Sequence, residues 1–174
     1  MTEHTGEDEK LPHQGENIME LEMNKLIEGG QNKAIIVDVD GTIATHYTAY
    51  GDQIREHHDY VQVINDRPIW SIINLVRMLY DQGFTILVTT GRMDRPGVRE
   101  DTTAWLEKYD VPFNKLIMRE DRDFRPDNEA KLDLYEKHIK GQYDVEFVLD
   151  DRDRVVKMWR EQGLKVLQVA EGDF

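Results

Sequence analysis

Two aspartates one residue apart, Asp38 and Asp40, follow the run Ala34-Ile35-Ile36-Val37 and lead into Gly41-Thr42. Carboxylates this close repel each other unless a cation or a shared proton lies between them. Their hard oxygens favour Mg²⁺. A second acidic pair, Asp150-Asp151, follows another apolar run, Val145-Glu146-Phe147-Val148-Leu149. Thr90-Gly91-Arg92 follows a third, Phe84 to Thr89. A hydroxyl, a flexible glycine and an arginine in that order can cradle phosphate oxygens. Lys131 comes five residues after Pro126, early in what reads as a helix.

These residues need elements to hold them. A short continuous apolar run is the pattern of a strand covered on both faces. Residues 34–39, 84–89, 115–118, 145–149 and 165–169 fit that pattern or a shorter version of it. Charge and hydroxyls at the carboxyl ends of such strands lie where open α/β sheets bind ligands. Gly41 lets the chain turn sharply there. An ordinary Asp-Gly turn is the plainer reading of residues 40–41.

Helical spacing separates the strands. Pro68 suits the first turn of a helix to Gln82, stopped by Gly83. A second helix starts at Asp101 or Thr102 and runs to Tyr109. Asp110-Val111-Pro112 ends it. Residues 119–126 are a charged loop. Asp127 caps a helix to Lys140, with Glu129 in its first turn. Lys131, near the start, sits on the wrong side for the helix dipole and points back toward the strand ends. A solvated lysine is the alternative. Asp153 caps a last helix, Arg154 to Gln162. Strand and helix alternate throughout, which predicts an α/β fold with a mostly parallel sheet flanked by helices.

The chain has 174 residues, no cysteine and a formal net charge of −13. It is long enough to bury a real core, with no disulfide framework and no thiolate chemistry. No run approaches the length of a membrane span. A cytoplasmic protein without membrane partners is the default expectation. Residues 1–31 carry eight acids and two bases, and form an acidic extension with a helix expected over 17–28. The rest, 32–174, reads as one domain. The overall charge argues against a broad nucleic-acid surface, since phosphate affinity comes from Lys and Arg. Yet eight of the twelve arginines lie between Arg92 and Arg154, so a local basic site can sit on the acidic body. The connection 43–67 is polar, with a histidine spacing that fits no zinc box and tyrosines that tether a loop or stack on a base. It is too short for a domain with its own core.

Taken in order, Asp38-Val39-Asp40-Gly41-Thr42, Thr90, Lys131 and Asp150-Asp151 resemble the four motifs of the haloacid dehalogenase (HAD) superfamily of phosphatases. Asp127 to Lys131, Asp150-Asp151-Arg152 with Val155 to Arg160, and Gln168 to Phe174 narrow the resemblance. They are similar to the 3′-phosphatase domain of bacteriophage polynucleotide kinase/phosphatase over about residues 33–174. The kinase half of that family has no counterpart, because no G-x-x-x-x-G-K-[ST] is present, and 5′-kinase activity is not expected. The resemblance implies a Rossmann-like HAD fold and an aspartyl-phosphate formed on Asp38, with Asp40 as general acid and then base. Thr90 and Lys131 would hold the phosphoryl oxygens. Mg²⁺ would bind Asp38, Asp150, Asp151 and the main-chain carbonyl of Asp40. Thr42, Gly91, Arg92, Asp127 and Arg152 would contact substrate or orient the residues that do. Arg95, Arg99, Arg122 and Arg125 are lesser candidates.

No large cap is encoded, and an uncovered site admits a polymer end, whereas enzymes of small metabolites need a lid. The expected substrate is a 3′-phosphorylated DNA or RNA end, in the host cytoplasm if the chain is of phage origin, and the resemblance admits a homodimer. Two other readings stay open. One is a phosphatase of nucleoside monophosphates or other small esters. The other is a non-catalytic protein of this fold that binds a partner through residues 1–31.

Overall fold

Lys33–Val37 forms β1, the middle strand of a five-stranded sheet. In this computed structural model residues 33–56 and 59–172 are described. The acidic extension, with the helix expected over 17–28, lies outside the described residues. Ile35 and Val37 point into one apolar cluster, and Ala34 and Ile36 into another. That two-sided burial is why β1 reads as an unbroken apolar run rather than an alternating one. Four more strands complete the sheet: β4 (Thr85–Asp94), β5 (Lys115–Glu120), β6 (Asp144–Asp150) and β7 (Val166–Gln168). A two-stranded ribbon, β2 (Ala44–Thr45) with β3 (Arg67–Pro68), stands apart from it. The sheet order is β5-β4-β1-β6-β7, and every pair in it is parallel.

The helices cover both faces. Helix α1 (Trp70–Asp81) and α2 (Val98–Lys108) bury Ile73, Val76, Trp105 and Leu106 against one face. Helix α3 (Asp127–His138) and α4 (Asp153–Glu161) bury Leu134, Tyr135, Val155, Met158 and Trp159 against the other. From β1 the chain moves outward through β4 and β5, then returns across β1 to β6 and β7. The order therefore reverses between β1 and β6, and open α/β sheets bind ligands in the crevice at that point. Asp38 N–H continues the ladder by donating to the Leu149 carbonyl at 3.0 Å. This brings the first acidic pair beside the second.

The alternating α/β order expected from sequence is present, with several boundaries moved. Strand β4 continues past Thr89 to Asp94, with a register shift against β5 between Thr90 and Met93. Its apolar pattern ends where the backbone pairing does not. Helix α2 starts at Val98, earlier than expected, because Gly97 at φ +86° opens it and Glu100 accepts the Gly97 N–H at 2.7 Å. The two acidic caps expected from sequence are absent as caps. Pro126 and Arg152 occupy those positions, with no side-chain cap bond. The Asp127 carboxylate is engaged by basic side chains instead, and Asp153 accepts from Gln168 Nε2 at 2.6 Å.

The connection between β1 and α1 has no core of its own. It carries the β2–β3 ribbon and a 3₁₀ helix over Tyr60–Asn65, whose Tyr60 and Val63 pack on Val98 and Met118. It is a small flap on the sheet, not a cap domain. No helix among the described residues is long and apolar enough to cross a membrane. Shortening Ile36, packed at the centre of the sheet, tests the two-sided core. Ile36→Ala is expected to lower the unfolding free energy by about 2–5 kcal/mol in urea titration, as other large-to-small core changes do.

Candidate active site

Four buried side chains meet past the carboxyl ends of β1 and β6. Lys131, 1% exposed, donates from Nζ to Asp38 Oδ1 at 2.7 Å and to Asp150 Oδ2 at 2.9 Å. Helical side chains lean toward the helix N-terminus, so α3 delivers Lys131 back onto the strand ends. The solvated alternative for this lysine is excluded by its burial. Asp127, one turn earlier, lies 3.7 Å from the same ammonium. Asp150 is further held by the Arg152 N–H at 3.2 Å and by Trp159 Nε1 at 3.2 Å, which ties the site to the core under α4. Thr42 donates to Asp151 Oδ1 at 3.2 Å and lies 3.5 Å from Asp38 Oδ2. Its hydroxyl supports the acids rather than facing a substrate.

The charges do not balance inside this cluster. Asp38, Asp150 and Asp151 each present a carboxylate oxygen within 4.8 Å of the others, with one ammonium among them. Burial pushes the Asp38 carboxyl well above the usual range, against the pull of Lys131. Burial and then Asp150 push Asp151 up to about 6. Burial by itself would lower Lys131, but Asp150 and Asp38 outweigh it and hold the ammonium well above its ordinary value. A residual negative hole lined by hard oxygens fits a small divalent cation such as Mg²⁺. Gly41 belongs to the same hole. It adopts φ +90°, and a Cβ there would run into the Asp151 carboxylate.

Asp40 stands outside the three-acid group, with its carboxylate held from the other side. Arg92 donates from Nε to Oδ2 at 2.8 Å and from Nη2 to Oδ1 at 2.9 Å. Arg55 donates to Oδ1 at 2.6 Å. Both guanidiniums also reach Asp66, Arg55 at 2.7 Å and Arg92 at 2.8 Å, and Trp105 Nε1 fixes the Asp66 carbonyl at 2.8 Å. The family resemblance implies that Arg92 contacts the substrate phosphate or the adjoining backbone. Its side chain is instead fully buried, spent on Asp40, Asp66 and Thr102. Arg55 and Asp66 were missed altogether. They sit in the flap, eleven residues apart, and nothing local in the sequence marks them as partners of a strand end.

The remaining expected residues are spread around one cleft of about 560 Å³. Asp38, Asp40, Gly91, Asp127, Asp151 and Arg152 line it. Thr90 is fully buried, and its hydroxyl accepts the Arg92 N–H at 3.2 Å. Gly91 must lack a side chain, since a Cβ there would strike Asp127 Oδ1. Asp127 accepts from Arg119 at 2.6 Å and from Arg152 at 3.4 Å. Burial works to raise its carboxyl, but Lys131, Arg152 and Arg119 hold it below the ordinary value. Arg119 is a third residue, after Arg55 and Asp66, that the sequence does not mark. Arg99 is paired with Asp94 at 2.6 Å and Arg122 with Asp121 at 3.6 Å, and neither lines the cleft.

Comparison with known proteins gives a consistent picture. The family model for the phosphatase domain of polynucleotide kinase PNKP matches residues 32–174. A curated relative, a putative bifunctional polynucleotide kinase/RNA ligase of Autographa californica nuclear polyhedrosis virus, is 33% identical over 132 residues. That match covers 74% of this chain and 18% of the relative. Chains in two structures of a Pnkp1/Rnl/Hen1 complex, one described as an RNA repair complex, are each 35% identical, with TM-scores of 0.76 and 0.75. Those matches cover 82% and 83% of this chain, and 47% and 44% of the solved chains. The chain thus spans less than half the length of these relatives. A class C acid phosphatase from Bacillus anthracis with tungstate bound shares the fold at TM-score 0.57 and 14% identity, over 89% of this chain and 73% of that one.

The acid cluster makes a pH-dependent expectation. A carboxyl raised to about 6 contributes stability at low pH that is lost as pH rises through that value. Mg²⁺ should recover it. Millimolar Mg²⁺ is expected to raise Tm at pH 7.5 and to raise it less at pH 5, where the ion must displace a proton from Asp151. Differential scanning fluorimetry reads both arms, and an equal shift at the two pH values would count against the cluster as the binding site.

Proposed function

The chain belongs to the polynucleotide kinase PNKP phosphatase-domain family of the HAD superfamily, and on that premise we propose that it removes 3′-phosphates from nucleic-acid ends. The observation that carries this reading is the buried Asp38–Lys131 pair. It sits within an acid cluster at the reversal point of the sheet and opens into a cleft with no cap over it among the described residues. An open cleft leaves room for a chain to continue beyond the reacting phosphate.

Asp38 attacks phosphorus and the bond to the ribose 3′-oxygen breaks, leaving an aspartyl-phosphate. Asp40 gives its proton to the departing oxygen. It then takes one from the water that attacks the aspartyl-phosphate, and inorganic phosphate is released as Asp38 is restored. Lys131 orients Asp38 and neutralises charge that gathers on the phosphoryl oxygens. Asp38, Asp150 and Asp151 are the residues that would hold Mg²⁺, with the Asp40 main-chain carbonyl as a fourth donor. The bound ion would offset the repulsion between two approaching anions. Arg92 and Arg55 act through Asp40. Each guanidinium grips the carboxylate, and Asp66 locks the pair, so the proton-transfer group keeps one orientation.

Phosphate release from a 3′-phosphorylated oligonucleotide with Mg²⁺, beside the matching nucleoside 3′-monophosphate, tests the reading. Turnover of the oligomer is expected to exceed that of the monomer, and Asp38→Asn is expected to cut it by about a thousand-fold or more. Equal or better turnover of the monomer would favour a small-ester phosphatase. No Mg²⁺-dependent turnover of either would favour a binding protein of this fold.

A second expectation concerns the flap. Arg55→Ala is expected to lower kcat on the order of a hundred-fold with little change in KM, because misplacing a proton-transfer group costs about that much. Steady-state kinetics on the same oligomer measures both constants.

A further inference from the structure

The cleft extends beyond the acids. Its β4–β5 side is built from Arg95, one residue past β4, and Phe124, in the loop between β5 and α3. Neither has a part in the phosphoryl chemistry. Phe124 is 79% exposed, an aromatic ring turned into solvent at the rim of a charged cleft. Such a ring forgoes the burial that aromatic side chains usually obtain.

The basic residues on this wall differ in one respect. Arg119 is engaged by Asp127 at 2.6 Å, and Arg125 by Asp123 at 2.8 Å and Asp133 at 2.7 Å. The Arg95 guanidinium, half-buried, has no hydrogen bond or ion pair among the described residues. In a chain of net charge −13, an unclaimed guanidinium and an unclaimed aromatic face lining the same cleft mark a place for an anion joined to a flat ring.

We propose that Phe124 and Arg95 form a subsite for the nucleotide that precedes the 3′-terminal one. Phe124 stacks on its base, and Arg95 holds the phosphate that links it to the terminal nucleoside. Stacking on one ring accepts any base, so the subsite reads chain continuity rather than sequence. It also requires the penultimate base to be unpaired, so the fitting substrate is a single-stranded 3′ end. A mononucleotide has neither group and gains nothing from the subsite. The inference rests on the end-phosphatase reading, and it names what distinguishes a polymer end from a small ester.

Two measurements test it. In the first, kcat/KM is determined for a single-stranded 3′-phosphorylated oligonucleotide and for a nucleoside 3′-monophosphate with wild type, Phe124→Ala and Arg95→Ala. Each substitution is expected to lower the oligomer-to-monomer ratio on the order of ten-fold, chiefly through the oligomer KM. Arg95→Ala should also reduce the salt dependence of the oligomer KM by about 0.7 in log–log slope, the loss of one phosphate contact. An unchanged ratio would overturn the subsite while leaving the end-phosphatase reading intact.

The second measurement does not depend on turnover. The Asp38→Asn protein, with and without Phe124→Ala, is titrated against an oligonucleotide carrying 2-aminopurine at the penultimate position. Stacking should quench the probe with Phe124 and fail to quench it without. Quenching that survives the loss of Phe124, or none in either protein, would overturn the stacking role even if the enzyme proved inactive on 3′ ends.

Discussion

A buried ammonium held between carboxylates is the constraint on which the rest of the structure depends. Lys131 bridges Asp38, one residue past β1, and Asp150, the last residue of β6, and so joins the two strands where the sheet order reverses. A buried lysine without partners would be strongly disfavoured, and so would three buried acids without a cation. Together they compensate only in part, and the remainder is negative. The charge left over is lined by carboxylate oxygens from Asp38, Asp150 and Asp151, a set that fits a divalent cation. Trp159 carries this requirement into the core, since its indole both packs under α4 and donates to Asp150.

A second buried ion network sits across the cleft. Asp40 and Asp66 lie between Arg55 and Arg92, and the partners are almost fully removed from water. Removing one member of such a network strands the others, so its value is orientation more than stability. It also ties the flap to Asp40. Arg55 comes from the flap, Asp66 from its last turn, and Arg92 from the extended end of β4. The flap is too small to enclose a substrate, and it reaches the site with charged side chains instead.

The two networks divide the work. In the proposed reaction the Lys131 cluster presents the nucleophile and the residues that would hold a cation. The Arg55–Asp66–Arg92 frame fixes Asp40, the proton-transfer group of the proposed reaction. Glycines at 41 and 91 keep the space between them open, each at a point where a single methyl group would meet a carboxylate. Arg95 and Phe124 line the same cleft.

The sequence by itself determined the strands and the acids at their tips. A parallel strand covered on both faces must be apolar along its whole length, so β1 and the start of β4 were legible, and charge at their ends stood out. Lys131 was legible for a related reason, as a cation misplaced against a helix dipole. Tertiary structure alone decided the direction of each long side chain. Arg92 turned from the substrate into the interior because Asp66, 26 residues earlier, offered it a buried partner. Asp127 left its expected cap because Arg119 and Arg152 converge on it from two other elements. Arg55 carried no local signal, since its periodicity and its neighbours describe only a polar loop. Local pattern encodes which backbone groups must pair and which faces must be buried. Partners for long charged side chains are chosen across the fold, by whichever opposite charge is left unsolvated beside them.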